Sequence, residues 1–143
     1  MAPLQVLLTT GLLFVCLVDS SVSVGGKEPA TLDDEGVLLA AQFATQEINA
    51  RSNSMFVRQL TDIVKAEKQV VAGMKYYLTI ELSETECQKT NGPIKDLSSC
   101  KVKEGNAKVE HCEVTVLHVV WKHSSELLEF SCAKAEDAKQ KYM

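Results

Sequence analysis

Four cysteines in the C-terminal half, Cys87, Cys100, Cys112 and Cys132, constrain this chain more than any other feature. In an oxidising compartment each pair fixes two distant points of backbone against one another. The compartment is read from the start of the chain. Val6 to Val18 is uncharged and mostly apolar, about the length of a secretory h-region and too short to span a bilayer. Small residues follow at Ser20 and Ser21, with Val18 and Ser20 suited to the -3 and -1 positions of a cleavage site. Residues 1–20 are therefore expected to be a signal peptide, with cleavage after Ser23 as the alternative, and residues 21–143 the mature domain. The fifth cysteine, Cys16, leaves with the leader, and an even number remains.

Four thiols allow three pairings, and hairpin geometry selects one. Glu113 to Val119 and Leu127 to Ser131 read as strands with the polar stretch Lys122 to Ser125 between them. An antiparallel hairpin centred near residue 122 sets Cys112 opposite Cys132, at cross-strand disulfide spacing. Cys87 then pairs with Cys100 across a loop carrying Asn91-Gly92-Pro93. Zinc is the competing use of these thiols, but there is no Cys-x-x-Cys, and His111, His118 or His123 would have to join at unfamiliar spacing. No metal or cofactor is expected.

Thr31, Asp33 and Asp34 supply N-cap chemistry for a helix over Glu35 to Arg51, where Val37, Ala41, Ala44 and Ile48 form one stripe. Alanine makes that stripe thin, which lets a sheet approach closely. Tyr76, Leu78, Ile80 and Leu82 alternate with Tyr77, Thr79 and Glu81 as a half-buried strand. Phe56 to Lys68, with Leu60, Ile63 and Val64, is its partner, and Gln69 to Gly73 falls at the tip between them. Ser21 to Ala30 reads as an aperiodic arm, and Cys87 to Asn106 as an irregular connection. Val114 and Val116 mark the fourth strand, Leu128 and Phe130 the fifth. The expected class is α+β: one long helix packed on a four- to five-stranded antiparallel sheet. The chain is 45% hydrophobic with a formal charge of -4, so it carries a core but lacks the basic stripe that nucleic-acid binding needs. Beyond the leader, no apolar run is long enough to cross a membrane.

Two bends are unusual. The Gln69 to Gly73 tip holds adjacent valines where polar turn residues are expected, and Trp121 sits at the edge of the second hairpin's polar bend. Hairpin geometry allows both bends to emerge at the end that the Gly25-Gly26 arm reaches, making an apolar wedge. The competing reading has Val70 and Val71 as strand ends and Trp121 as a cap on the core.

Gln69-Val70-Val71-Ala72-Gly73 resembles the Gln-x-Val-x-Gly motif of cystatins, inhibitors of papain-like cysteine proteases. The resemblance extends over the mature chain. Gly25 stands where that family has its N-terminal glycine, and the four cysteines follow the order of secreted type 2 members, which pair first with second and third with fourth. Trp121, nine residues after Cys112, matches the Trp of the family's Pro-Trp loop. Two positions depart: Val120 replaces the proline, which leaves Trp121 less preorganised, and the arm offers only Ser23-Val24 before the glycine. The resemblance implies a secreted, reversible, tight-binding inhibitor of papain-like (C1) proteases such as cathepsins. Val24, Gly25, Gln69, Val70, Val71, Ala72, Gly73, Val120 and Trp121 would meet the protease. Ser52-Asn53-Ser54 matches a post-helix loop with which some type 2 cystatins inhibit legumain, so Asn53 is the candidate for a second site. The competing class is a non-inhibitory secreted module on the same fold. The expected state is a monomer; strain at Val71, relieved by straightening the first hairpin, would give a domain-swapped dimer.

Enzymatic alternatives lack their motifs. There is no Gly-x-Ser-x-Gly elbow, P-loop or His-Glu-x-x-His, and Glu84 with Glu86 reads as a solvated face.

Overall fold

A computed structural model describes residues 25–89, 99–105 and 107–136. The leader, Val24 and the Asn91-Gly92-Pro93 turn lie outside the described residues. Asp34 starts the helix α1 (Glu35–Arg51): its Oδ1 accepts the backbone N–H groups of Gly36 and Val37 at 2.8 and 3.2 Å. Two otherwise unpaired first-turn donors are satisfied by one carboxylate, whose charge also suits the helix N-terminus. The C-terminal turn closes with Ser52 N–H donating to the Ile48 carbonyl at 2.8 Å.

Around this helix runs one five-stranded antiparallel sheet in chain order, β1 (Glu28–Pro29), β2 (Phe56–Val71), β3 (Gly73–Gln88), β4 (Val109–Val119) and β5 (Ser124–Lys134). Val37, Ala41, Ala44 and Ile48 are all buried against Tyr76, Leu78, Ile80, Leu82, Cys112, Val114, Val116 and Leu127. Both expected stripes thus meet in one core. Each large aliphatic residue buried there contributes about 1.5–3 kcal/mol relative to exposure. Tyr76 reaches from the sheet to the helix start, where a Cβ added to Gly36 would collide with its hydroxyl. Burial, and then the Asp34 carboxylate, raise the Tyr76 phenol above its ordinary value.

Both disulfides form as expected, Cys87 with Cys100 and Cys112 with Cys132. Cys112 and Cys132 are direct cross-strand partners.

Five readings need adjustment. The arm is not aperiodic throughout: Glu28 and Pro29 pair with Lys68 and Glu67, and Ala30 N–H donates to the Ala66 carbonyl at 3.0 Å. The third strand runs on past Leu82 to Gln88, because Thr85 is wholly buried and its hydroxyl donates to the Val57 carbonyl at 2.7 Å. Cys87 therefore lies within a strand. Glu84 is not solvated; its carboxylate pairs with Lys103. On β5 the core residue is Leu127 at 4% exposure, since a bulge opposite Thr115/Val116 sets Leu127, and not Leu128, opposite buried Val116; Leu128 and Phe130 are about 40% exposed. A similar irregularity in β2 buries Ile63 and leaves Val64 exposed.

Candidate functional site

The meander brings both hairpin tips to one end of the sheet. Val71 pairs with Gly73 across the first tip, leaving Ala72 alone at the turn. The turn is thus tighter than the expected Gln69 to Gly73 bend, because Gln69, Val70 and Val71 stay in the ladder, where β-branched residues fit well. Gly73 has φ +126°, a conformation that L side chains rarely adopt. A Cβ there would also stand 2.7 Å from the His118 carbonyl oxygen on β4. Both torsion and packing demand glycine at 73. Among the described residues the non-glycine with positive φ is His123.

His118 is paired with Met74, so the second tip lies beside the first. Val120–Lys122 form a single 3-10 turn, closed by left-handed His123 (φ 47°), whose N–H donates to the Val120 carbonyl at 3.1 Å. Below it, His118 Nδ1 and the Ser125 hydroxyl lie 2.9 Å apart. Trp121 is 65% exposed and Val120 60%, so the tryptophan does not cap the core. Val70, although a strand residue, is 55% exposed.

The arm reaches the same end. An added Cβ on Gly25 would be 3.9 Å from the Val70 carbonyl oxygen, an ordinary contact with room to spare. Gln69 Nε2 donates to the Gly25 carbonyl at 2.8 Å, and the Tyr77 hydroxyl donates to Gln69 Oε1 at 2.9 Å. The Lys27 ammonium lies 3.8 Å from the centre of the Tyr77 ring. Gly25, Gln69, Val70, Val71, Ala72, Gly73, Val120 and Trp121 are thus gathered at one end. Sequence reading did not single out Tyr77; a hydroxyl on an outer-face aromatic eight residues after Gln69 was the only signal available.

Asn53 is remote from this cluster, at the opposite end of β2. It is exposed on the Ser52–Ser54 connection, whose neighbours are tightly held. Asn49, buried, clasps the Arg58 backbone: its Nδ2 donates to the carbonyl at 2.8 Å and its Oδ1 accepts the N–H at 2.9 Å. Lys89 Nζ donates to the Ser52 carbonyl at 2.8 Å, and the Ser54 hydroxyl to the Phe56 carbonyl at 3.1 Å. Burial first, and the Arg58 charge second, lower the Lys89 pKa. Arg58 itself pairs with Glu110 at 2.6 Å. Asn49 was not singled out from sequence, where it reads as one more polar residue at a helix end.

Among the described residues, the closest grouping of metal-type ligands is Glu110 with Cys112 and Cys132. The two sulfurs are bonded to each other and have no thiolate to offer a metal.

Comparison with known proteins bears on the family and the fold. Residues 25–121 match the Cystatin domain family. A cystatin of Oxyuranus microlepidotus is 37% identical over 136 residues, covering 92% of this chain and 93% of the relative. The cystatin of Gallus gallus is 35% identical over 133 residues, covering 89% and 94%. Among solved structures, dimeric human cystatin F superposes with a TM-score of 0.73 at 28% identity, over 82% of this chain and 93% of that one. A salivary cystatin of the soft tick Ornithodoros moubata gives 0.64 at 26% identity, over 76% and 97%.

Proposed function

Because this chain belongs to the cystatin family, whose members are protease inhibitors and not enzymes, we propose that it is a secreted, reversible, tight-binding inhibitor of papain-like cysteine proteases such as cathepsins. Residues 1–20 serve as its signal peptide and residues 21–143 as the inhibitory domain. Inhibition is by occlusion. The first tip, with Val70, Val71, Ala72 and Gly73, and the second, with Val120 and Trp121, enter one side of a cleft built for an extended peptide. Val24 lies along the other side, and Gly25 turns the arm so that no carbonyl is offered to the catalytic cysteine. Gln69 braces the base of the wedge. No bond is made or broken in the inhibitor, and a preformed shape lowers the ordering cost of association.

The observation that carries this reading is the Met74–His118 pairing, which sets the two tips side by side, with Gly73 leaving room for the His118 carbonyl. Titration of active papain tests it: the unaltered protein inhibits stoichiometrically, whereas Gly73→Glu, Trp121→Ala and deletion of Ser21 to Val24 each weaken inhibition. Unchanged constants for all three variants would reject the wedge. Failure of the unaltered protein itself would favour a non-inhibitory binding module on the same fold.

A second reading concerns Asn53, exposed on a braced connection. An asparagine-specific protease such as legumain reads that side chain, so Asn53→Ala abolishes legumain inhibition and spares papain inhibition. Loss of both together would indicate misfolding instead. The proposed state is a monomer. A domain-swapped dimer, formed by straightening the first hairpin, is the alternative state, and size exclusion after mild heating distinguishes the two.

A further inference from the structure

Tyr77 lies on the outer face of the sheet, outside the wedge, yet it touches both the arm and the first tip. The Gly25 carbonyl can only accept a hydrogen bond, so the Gln69 group facing it at 2.8 Å must be the amide nitrogen. That fixes the side chain's orientation and leaves Oε1 facing the Tyr77 hydroxyl at 2.9 Å, which donates to it. The chain of donors runs one way, Tyr77 to Gln69 to Gly25, and joins β3, β2 and the arm. A second tie reinforces it, since the Lys27 ammonium sits 3.8 Å above the Tyr77 ring. Beyond Lys27 the arm is held by two paired residues, Glu28 and Pro29, and by the Ala30 N–H on the Ala66 carbonyl. Two residue pairs make a weak ladder, so the side-chain ties decide where Gly25 sits.

We infer that Tyr77 is a positioning residue: through Gln69 and Lys27 it clamps the arm to the sheet, so that Gly25 is held at a set point beside the first tip. The inference rests on the proposed protease-inhibitor reading for its functional consequence, but the clamp itself is a property of the free protein. It assigns Gln69 an inward role, with both amide ends engaged by the chain itself.

The test uses the protein as processed by secreting cells and reads backbone order at Gly26 and Lys27 by amide relaxation. Tyr77→Phe keeps the ring and removes the hydroxyl; Gln69→Glu keeps an acceptor for Tyr77 and removes the donor to Gly25. Both are expected to loosen Gly26 and Lys27 while leaving the β3–β4 ladder unchanged, and Tyr77→Leu, which also removes the cation's seat, loosens them further. Losing one hydrogen bond of this kind weakens papain inhibition about fivefold. The same Tyr77→Phe change in a chain lacking Ser21 to Val24 has no further effect, whereas a merely structural tyrosine would weaken both chains equally. Unchanged order at Gly26 and Lys27 in both Tyr77→Phe and Gln69→Glu overturns the clamp. If the unaltered protein leaves papain active, the inhibitor reading fails, and the relaxation data still decide the clamp.

Discussion

The two hairpin tips reach the same end of the sheet by opposite means. The first is flanked on both sides: β4 runs close beside Gly73, and the arm lies near Val70. Its ladder runs to within one residue of the turn. The second depends on its own short-range contacts, a single 3-10 turn closed by left-handed His123 and a side-chain contact between His118 and Ser125. The first tip therefore owes its shape to tertiary packing, and the second to local geometry. Such a pair should respond differently to substitution.

The largest expected effect falls on the first tip. Gly73→Glu must abandon φ +126° and clear the His118 carbonyl, which displaces both tips together. A cost of about 3 kcal/mol or more corresponds to at least ~100-fold weaker papain inhibition. Circular dichroism and the melting temperature check that the sheet survives. Next is Trp121→Ala, which removes an exposed anchor without disturbing the core; about 2 kcal/mol, or ~30-fold, is expected in the inhibition constant.

A smaller change sharpens the contrast in the favourable direction. Val119 is extended at φ -111°, ψ 100°, close to the region favoured before proline, and Val120 is the first residue of the 3-10 turn, where a missing N–H costs little. Val120→Pro should stiffen this locally determined tip and tighten inhibition by roughly two- to fivefold, consistent with about 0.4–1 kcal/mol of removed chain entropy. Weaker inhibition would mean that the second tip must adapt on binding.

The smallest effect lies in the core beneath the arm. Burial and Asp34 hold the Tyr76 phenol above its ordinary value of 10.0. Unfolding restores that value, so Tyr76 contributes fully below about pH 10, and its contribution falls as pH rises through the folded value. Tyr76→Phe should flatten the alkaline limb of stability measured by urea unfolding at pH 9 to 11. An equally steep limb in the variant would assign it to other groups.

These comparisons also explain what could be read from the chain beforehand. The helix from Glu35 to Arg51 was legible because Asp34 caps it and the alanine-rich stripe repeats at helical period. The Cys112–Cys132 pair was legible because an antiparallel hairpin leaves little choice of register. The extension of β3 to Gln88 was not, since its last turns depend on Thr85 reaching β2, a contact without a periodic signature. Leu127 was missed for the same kind of reason: a bulge moves the inward position by one residue, and alternation alone points to Leu128. At the wedge, the residue types at Gly73 and Trp121 could be singled out in advance. The Tyr77–Gln69–Gly25 relay could not, because it joins three segments through side-chain amide and hydroxyl groups.

The most direct measurement is a hydrogen-exchange footprint of the protein bound to catalytically inactivated papain. Slowed exchange is expected at residues 25–27, 70–74 and 119–123 together, with 52–55 at the Asn53 end unchanged. Protection confined to the Asn53 end, or to one tip without the other, would contradict a single wedge.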